Sequence, residues 1–403
     1  MVDLGEFAPR HKKEHPTGWE PSLQWDGSKG TITTGPLEAE PDSSIWEILI
    51  ADWGLDPSRT KVVDGSLQIR AWDTTRDGET IRMKYYRATI EPRKGGRDSA
   101  DIAELCEMVK RRKPKKSIHE TQEYSSRSFV VLLSDWQLGK GNEVHGGSKE
   151  TTERVLNAID SAVQRLRDLK KIGRPCSKVI LAGLGDLVEG CSGDWYANQT
   201  WNADLTDREQ DKLARRLILR AIDAFVDEGY RVIAFGVPGN HGENRKNGKA
   251  FTDWLDNRDF AAFETVSEII QANPERYANV AMPNLMNIDD LSATLDISGV
   301  PCSFIHGHQV RNGANAQAKL EGWWKGQALG RTPVSDAEIL FSGHLHHFVV
   351  SEGTGRTVIQ VPALDGGSKW FTATSGASAP AGMVTLTVGV EAGTRGWSDI
   401  LIV

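Results

Sequence analysis

Apolar and polar positions follow two different rhythms along this chain, and the change of rhythm divides it. Residues 43–53 place Ile45, Leu49 and Trp53 at helical spacing, and Gly54 stops the run. Residues 66–72 and 80–90 alternate as strands do, with Asp77 and Gly78 between them as a hairpin turn signal. Residues 1–42, rich in Gly, Pro, Thr and charge, keep no period and read as an arm or extended wrap. From residue 128 strand and helix patterns alternate. An apolar run at 129–133 is followed by an amphipathic helix from Thr152 to about Ile172, with Val155, Ile159, Val163, Leu166 and Leu169 on one face. A strand at 179–182 precedes a helix opened by the capping box Thr206 and Glu209, which runs to Val226. A strand at 232–235 and a helix over about 259–272 follow. The chain then turns β-rich, with short apolar runs at 303–305, 339–341, 348–350, 358–361, 383–388 and 400–403.

An α/β front half and a mostly-β back half predict an α/β fold: two packed mixed β-sheets flanked by helices, preceded by a small N-terminal α+β module. The expected divisions are 1–90 for the arm and helix–hairpin module, 91–127 for a basic linker, and 128–403 for the main domain. The linker holds Arg93, Lys94, Arg97, Lys110, Arg111, Arg112, Lys113, Lys115 and Lys116, broken by Pro114. It reads either as solvated chain or as a contact for a phosphate backbone.

Composition narrows the class. No apolar run approaches the roughly 18 residues of a membrane span, and the N-terminus has no apolar signal region, so a cytoplasmic location is expected. Cys106, Cys176, Cys191 and Cys302 form no C-x-x-C pair, which points to reduced thiols and excludes a zinc ribbon. A net charge of -7 does not announce a nucleic-acid binder, but it is compatible with a carboxylate-lined site and local basic patches.

Candidate chemistry gathers just beyond the predicted strands. The first ends in Ser134, Asp135, Trp136 and Gln137, the second in Gly185, Asp186 and, three residues on, Glu189. The third ends in Gly239, Asn240 and His241, the fourth in His306 and His308, and the fifth in Gly343, His344, His346 and His347. In open α/β sheets, ligands bind outside the C-terminal ends of the strands. Each motif alone could be a turn or a cap. Together they form a donor set of Asp, Asn, Gln and His without thiolate, which suits Mn, Fe, Co, Ni or Zn.

This order of motifs resembles the calcineurin-like metallophosphoesterase superfamily over about residues 128–390. The resemblance implies an αββα sandwich and a two-metal centre whose shared hydroxide attacks phosphorus. It implies that Asp135, Gln137, Asp186 and His346 bind the first ion, with Asp186 shared, and that Asn240, His306 and His344 complete the second. It also implies that His241 protonates the leaving oxygen as general acid. Gln137 stands where His is commoner, which makes the first site harder and favours Mn over Zn. Gly242 stands where an acidic residue often follows the His, so Glu243 is expected to orient His241. His308 and His347 are spare histidines, near the site or on the surface.

The short segments around Asp135–Lys140 and Gly239–Asn244 resemble the DNA-repair nuclease branch and phage-type relatives, so a DNA nuclease with DNA as partner is expected. Two insertions mix aromatics with polar or basic residues: 194–202, with Trp195 and Trp201, and 309–331, with Arg311, Lys319, Trp323, Trp324, Lys325 and Arg331. Such residues stack bases and hold phosphates, or pack the surface. Arg245 and Lys246 read as phosphate contacts or as surface charge. Residues 362–370 read as a loop over the site with no assigned role. The alternatives are a phosphoesterase of small molecules or nucleotides, and a non-catalytic binding module.

Overall fold

The computed structural model describes residues 15–403 apart from 17, 26–28, 38–39, 56, 58–59, 64, 77–78, 93–98, 115–125, 142, 192, 194–198, 247–248, 251–252, 311–314, 370–371 and 374–378. The chain divides into two compact units, Met1–Ser99 and Ala100–Val403.

The first unit holds strands β1 (Ser22–Trp25) and β2 (Gly30–Thr33), helix α1 (Ser43–Asp52), and strands β3 (Thr60–Val62), β4 (Gln68–Arg76) and β5 (Glu79–Pro92). The long β4–β5 pair has the antiparallel register expected of a hairpin, with Arg76 opposite Glu79. The predicted Asp77–Gly78 turn itself lies outside the described residues. Two expectations change. Residues 22–25 and 30–33, read as part of an arm, are a strand pair of the sheet, and Ile32 on β2 is fully buried against α1. The buried stripe of α1 is Trp46 and Ile50, while Trp53 is the exposed C-cap, one position past the helix.

The second unit holds helix α2 (Ser99–Lys110) from its second residue on, then β6 (Ser128–Leu133), α3 (Ser148–Lys171), β7 (Lys178–Gly183), α4 (Gln199–Asn202), α5 (Asp207–Asp227) and β8 (Arg231–Gly236). Next come β9 (Arg245–Lys246), β10 (Lys249–Ala250), α6 (Arg258–Ile270), β11 (Val280–Ala281), β12 (Met286–Asn287), β13 (Ser292–Ile297) and β14 (Val300–Ile305). The chain ends with α7 (Ala316–Gly330), β15 (Ile339–Ser342), β16 (Val349–Gly353), β17 (Arg356–Gln360), β18 (Val384–Val388) and β19 (Trp397–Ile402). One sheet runs β11-β8-β7-β6-β18-β19 and the other β12-β13-β14-β15-β17-β16.

The expected pair of mixed sheets flanked by helices is what the second unit builds. Alternate residues of β6 show why. Val130 and Leu132 face the other sheet and pack with Phe235, Phe304 and Phe341, whereas Phe129, Val131 and Leu133 join the layer of α3, α5 and α6. A strand buried on both faces reads as the continuous apolar run seen in the sequence. Strands β6, β7 and β8 are mutually parallel, as are β14, β15 and β17. Each set therefore delivers its following loops at its own C-terminal edge.

Three local differences have physical causes. Helix α3 starts at Ser148, before the expected Thr152, because Glu150 accepts from Gly147 N at 2.9 Å and Asp204 accepts from Ser148 N at 2.7 Å. That second cap comes from far along the chain. The 309–331 insertion contains α7, where Trp324 is buried and donates to Val334 O at 2.7 Å. For Trp324 the packing role holds. Part of the basic linker is helix α2, docked on α5 through the buried Asp101, which takes Arg216 at 2.7 Å and Arg215 at 3.3 Å. Arg112 beyond it binds Asp223 and donates to Tyr277 Oη at 2.7 Å, so its charge serves packing. Lys115 and Lys116 lie outside the described residues. Among the described residues no helix is long and apolar enough to cross a membrane.

Candidate metal centre

The loops after β6, β7, β8, β14 and β15 bring the predicted residues together. Asp186, His306 and His344 each offer a ligand atom, and these atoms lie within 4.8 Å of one another. His306 Nε2 is 3.0 Å from Asp186 Oδ2, 3.0 Å from Asn240 Oδ1 and 3.2 Å from His344 Nδ1. His306 Nδ1 is 2.7 Å from Leu184 O, which accepts its hydrogen bond and leaves Nε2 to face the cluster. Beside this group, His346 Nε2 is 3.1 Å from Asp135 Oδ1. Asp135 Oδ2 accepts from His344 N at 3.1 Å, which ties the two groups together.

Backbone strain marks the same residues. Asp135 (φ 50°), Gln137 (43°), Asp186 (52°), His344 (69°) and His346 (56°) all adopt the left-handed region, where side chains other than glycine are disfavoured. Such strain persists where the surroundings over-determine it, and it clusters at functional sites. Glycines let the loops converge. A Cβ on Gly239 would collide with Asp186, and one on Gly343 would lie 2.6 Å from Asp135 Oδ2.

Electrostatics follow from two buried carboxylates facing several imidazoles. Burial works against ionising Asp186, but the His306 and His241 charges hold it well below the usual carboxylate range. Asp135 is lowered against burial chiefly by His346. Burial opposes protonated His306, and the carboxylates of Asp186 and Asp135 still push it up to about 9. His344 and His308 fall to about 3, through burial and then the His306 charge. Asp135 Oδ1 is buried without a well-formed hydrogen bond. The carboxylates of Asp135 and Asp186, the imidazole nitrogens of His306, His344 and His346 and the amide oxygen of Asn240 suit a borderline divalent ion, so the donor set fits a metal.

His241 is 8% exposed and its N–H donates to Asp186 Oδ1 at 2.8 Å. Its ring does not meet the expected partner. Glu189, at the end of the second motif, places Oε2 3.2 Å and its carbonyl oxygen 3.0 Å from Nδ1. Glu243 instead pairs with Arg245 at 2.5 Å and lies 3.7 Å from His308 Nε2. The loop after β8 turns Glu243 towards Arg245, so the orienting role expected of it falls to Glu189. Burial opposes the charged form of His241, and the carboxylates of Glu189 and Asp186 raise it to about 10. Gln137 Nε2 is 3.2 Å from His241 Nε2, and its Oε1 accepts from Lys140 Nζ at 2.8 Å.

Other expected residues divide. His308 packs near the centre, its ring 5.4 Å from that of His306 and tilted against it, while His347 is exposed and bonds Leu345 O. Trp201 is 84% exposed on α4, whose Asn202 O accepts from Gly141 N at 2.7 Å. Trp195, Arg311 and the side chain of Lys246 lie outside the described residues.

Three participants escape a reading of the strand-end motifs. Asp259, fully buried on α6, accepts from Asp186 N at 2.8 Å, Leu187 N at 2.9 Å and Gly239 N at 3.1 Å, and so clamps two of the loops. Burial and Asp186 push its carboxyl up to about 6. Asp365, in the segment left without a role, lies 3.7 Å from His346 Nδ1 and 2.5 Å from Lys140 Nζ. Lys140 is the third. The only sequence signals were position: Asp259 follows the helix cap Asn257, and Asp365 follows β17 as the other site residues follow their strands.

No family model matches the chain, and no curated protein matches it. Among solved structures, it is similar to vacuolar protein sorting 29 from Cryptosporidium parvum, with 13% identity, a TM-score of 0.30, and coverage of 69% of this chain and 97% of that one. It is similar to a predicted phosphoesterase from Streptococcus pneumoniae, with 14% identity, a TM-score of 0.27, and coverage of 65% and 83%. A protein from Pyrococcus horikoshii gives 13%, 0.34, 68% and 88%. At these TM-scores the likeness settles neither fold nor chemistry, and both rest on the side chains and strands described above.

Proposed function

We propose that the chain is a metal-dependent phosphodiester hydrolase of the calcineurin-like kind, with DNA as its substrate. The observation that carries the reading is the convergence of Asp186, His306 and His344 within 4.8 Å at parallel strand ends. In this reading Asp186, Asn240, His306 and His344 hold one divalent ion, and Asp135, His346 and Asp186 hold another, with Gln137 beside it. Mn is favoured by the oxygen-rich side of the donor set. Bound ions of this kind supply Lewis acidity towards a phosphoryl oxygen and lower the pKa of water.

The chain's own residues do the rest. Leu184 O fixes the His306 ring, and Asp259 fixes the backbone that carries Asp186. In this reading His241, held at Nδ1 by Glu189, turns Nε2 towards the centre and passes a proton from there to the leaving oxygen. Exposed Trp201 offers a face on which a base stacks.

A second reading, a phosphoesterase of small molecules or nucleotides, is favoured by Arg245, whose ion pair with Glu243 draws it away from a phosphate backbone. Labelled single- and double-stranded DNA incubated with Mn separates the two. DNA cleavage lost in His241→Ala supports the nuclease. Turnover of a nucleotide diester with intact DNA supports the second reading.

A further inference from the structure

We propose that Lys140 is a built-in cation at the Gln137 side of the centre and makes the two ion sites unequal. The Asp186–His306–His344 site then loads first, and the Asp135–His346 site holds its ion weakly. The inference rests on the reading of the centre as a metal site.

The Lys140 side chain is 13% exposed and that of Asp365 is 5% exposed, so the pair is largely withdrawn from water. Nζ sits 2.8 Å from Gln137 Oε1 and 2.5 Å from Asp365 Oδ2. An ammonium donates and never accepts, so Gln137 must give it the oxygen, the one atom of that amide able to bind a hard ion. The backbone enforces the contact. Lys140 N donates to Gln137 O at 3.0 Å in a tight turn, and Lys140 also bridges to Ala203. Asp365 is held in turn, accepting from Gly367 N at 3.1 Å, while Arg154 donates to the neighbouring Leu364 O at 3.0 Å.

The other side of the centre is built differently. Asn240, the counterpart amide, points its oxygen at His306 Nε2, a ligand nitrogen, at 3.0 Å. An ion beside Asn240 therefore joins donors that already converge. An ion beside Gln137 meets a fixed positive charge at short range, in a site shielded from water where repulsion is strong. Asp365 faces both this ammonium and His346 Nδ1, so it supports the imidazole that holds the weaker ion while anchoring its competitor. Lys140 acts here as a positioning residue, through Gln137 and Asp365.

The test titrates the metal-free full chain with Mn²⁺ by calorimetry and follows loading by electron paramagnetic resonance, which distinguishes a lone ion from a coupled pair. The wild type is expected to bind one ion tightly and a second at least about tenfold more weakly. Lys140→Met should strengthen the second step by about tenfold or more and leave the first unchanged. Lys140→Arg, which keeps the charge, should retain the wild-type pattern. If Lys140→Met does not fold, Lys140→Gln serves instead, since it keeps a hydrogen-bond donor and removes the charge, and it should likewise strengthen the second step. Two equal sites in the wild type, or a second step unchanged or weakened in Lys140→Met, would overturn the proposal. Absence of any tight Mn²⁺ in wild type and variants alike would sink the metal-centre reading itself, which is a different failure.

Discussion

His241 shows how little of a residue's role lies in its identity. The chemistry of an imidazole at a strand end was readable, but its partner was not. Glu189 and Glu243 are each near a motif in sequence, and only the folded loops decide that Glu189 faces the ring while Glu243 faces Arg245. Asp259 and Asp365 act through contacts made across long stretches of chain, which no local spacing records. If His241 serves as the proposed general acid, His241→Ala is expected to lower kcat by about 10²–10⁴-fold. Mn²⁺ binding measured by calorimetry should be retained, and its loss would mean that His241 is a ligand. The same residues set a pH dependence. His306 and His241 are raised from 6.5 to about 9 and about 10, so their contribution to the metal-free protein is complete below pH 6.5 and is lost as pH rises through those values. Thermal unfolding of the metal-free protein should shift to lower temperature between pH 6.5 and 10. An ion entering at neutral pH displaces the His306 proton, so Mn²⁺ affinity should rise with pH over the same window. A flat calorimetric profile would contradict both statements.

Strands buried on both faces were the most legible elements, because an apolar run bounded by Gly and polar ligands has few other uses. β6, β7, β8 and β15 fall where the pattern places them. Elements stabilised from outside were less legible. α3 gains its first turn from Asp204, β2 is recruited by β5, and α7 carries glycines that weaken its helical signal. Helix α2 is the clearest case, since a charged linker and a docked helix differ only in what Arg215 and Arg216 meet. Asp101→Ala is expected to destabilise the second unit by about 1–3 kcal/mol, read as a lower midpoint in urea. No change would mean that α2 is loosely attached. The convergence of the loops makes its own demand. Gly239→Ala should weaken Mn²⁺ binding more than it weakens the fold, because its Cβ would meet the Asp186 carboxylate.

At the scale of the whole molecule, a net negative chain presents a centre that gathers histidines around two buried carboxylates. That arrangement has a use when a divalent ion replaces the protons, and the parallel edges of two sheets are what hold the donors in place. Recognition of a long substrate is a separate matter. If the basic run touches a phosphate backbone, Lys115→Ala with Lys116→Ala should weaken DNA binding and reduce its salt slope by up to about two. Unchanged binding would remove the run from the account. Hydrolysis itself is tested most directly by the turnover of bis-p-nitrophenyl phosphate. The metal-stripped full chain should be inactive, should gain activity on titration with Mn²⁺, and should lose it in Asp186→Asn. Activity that persists after chelation, or that survives Asp186→Asn undiminished, would contradict the account.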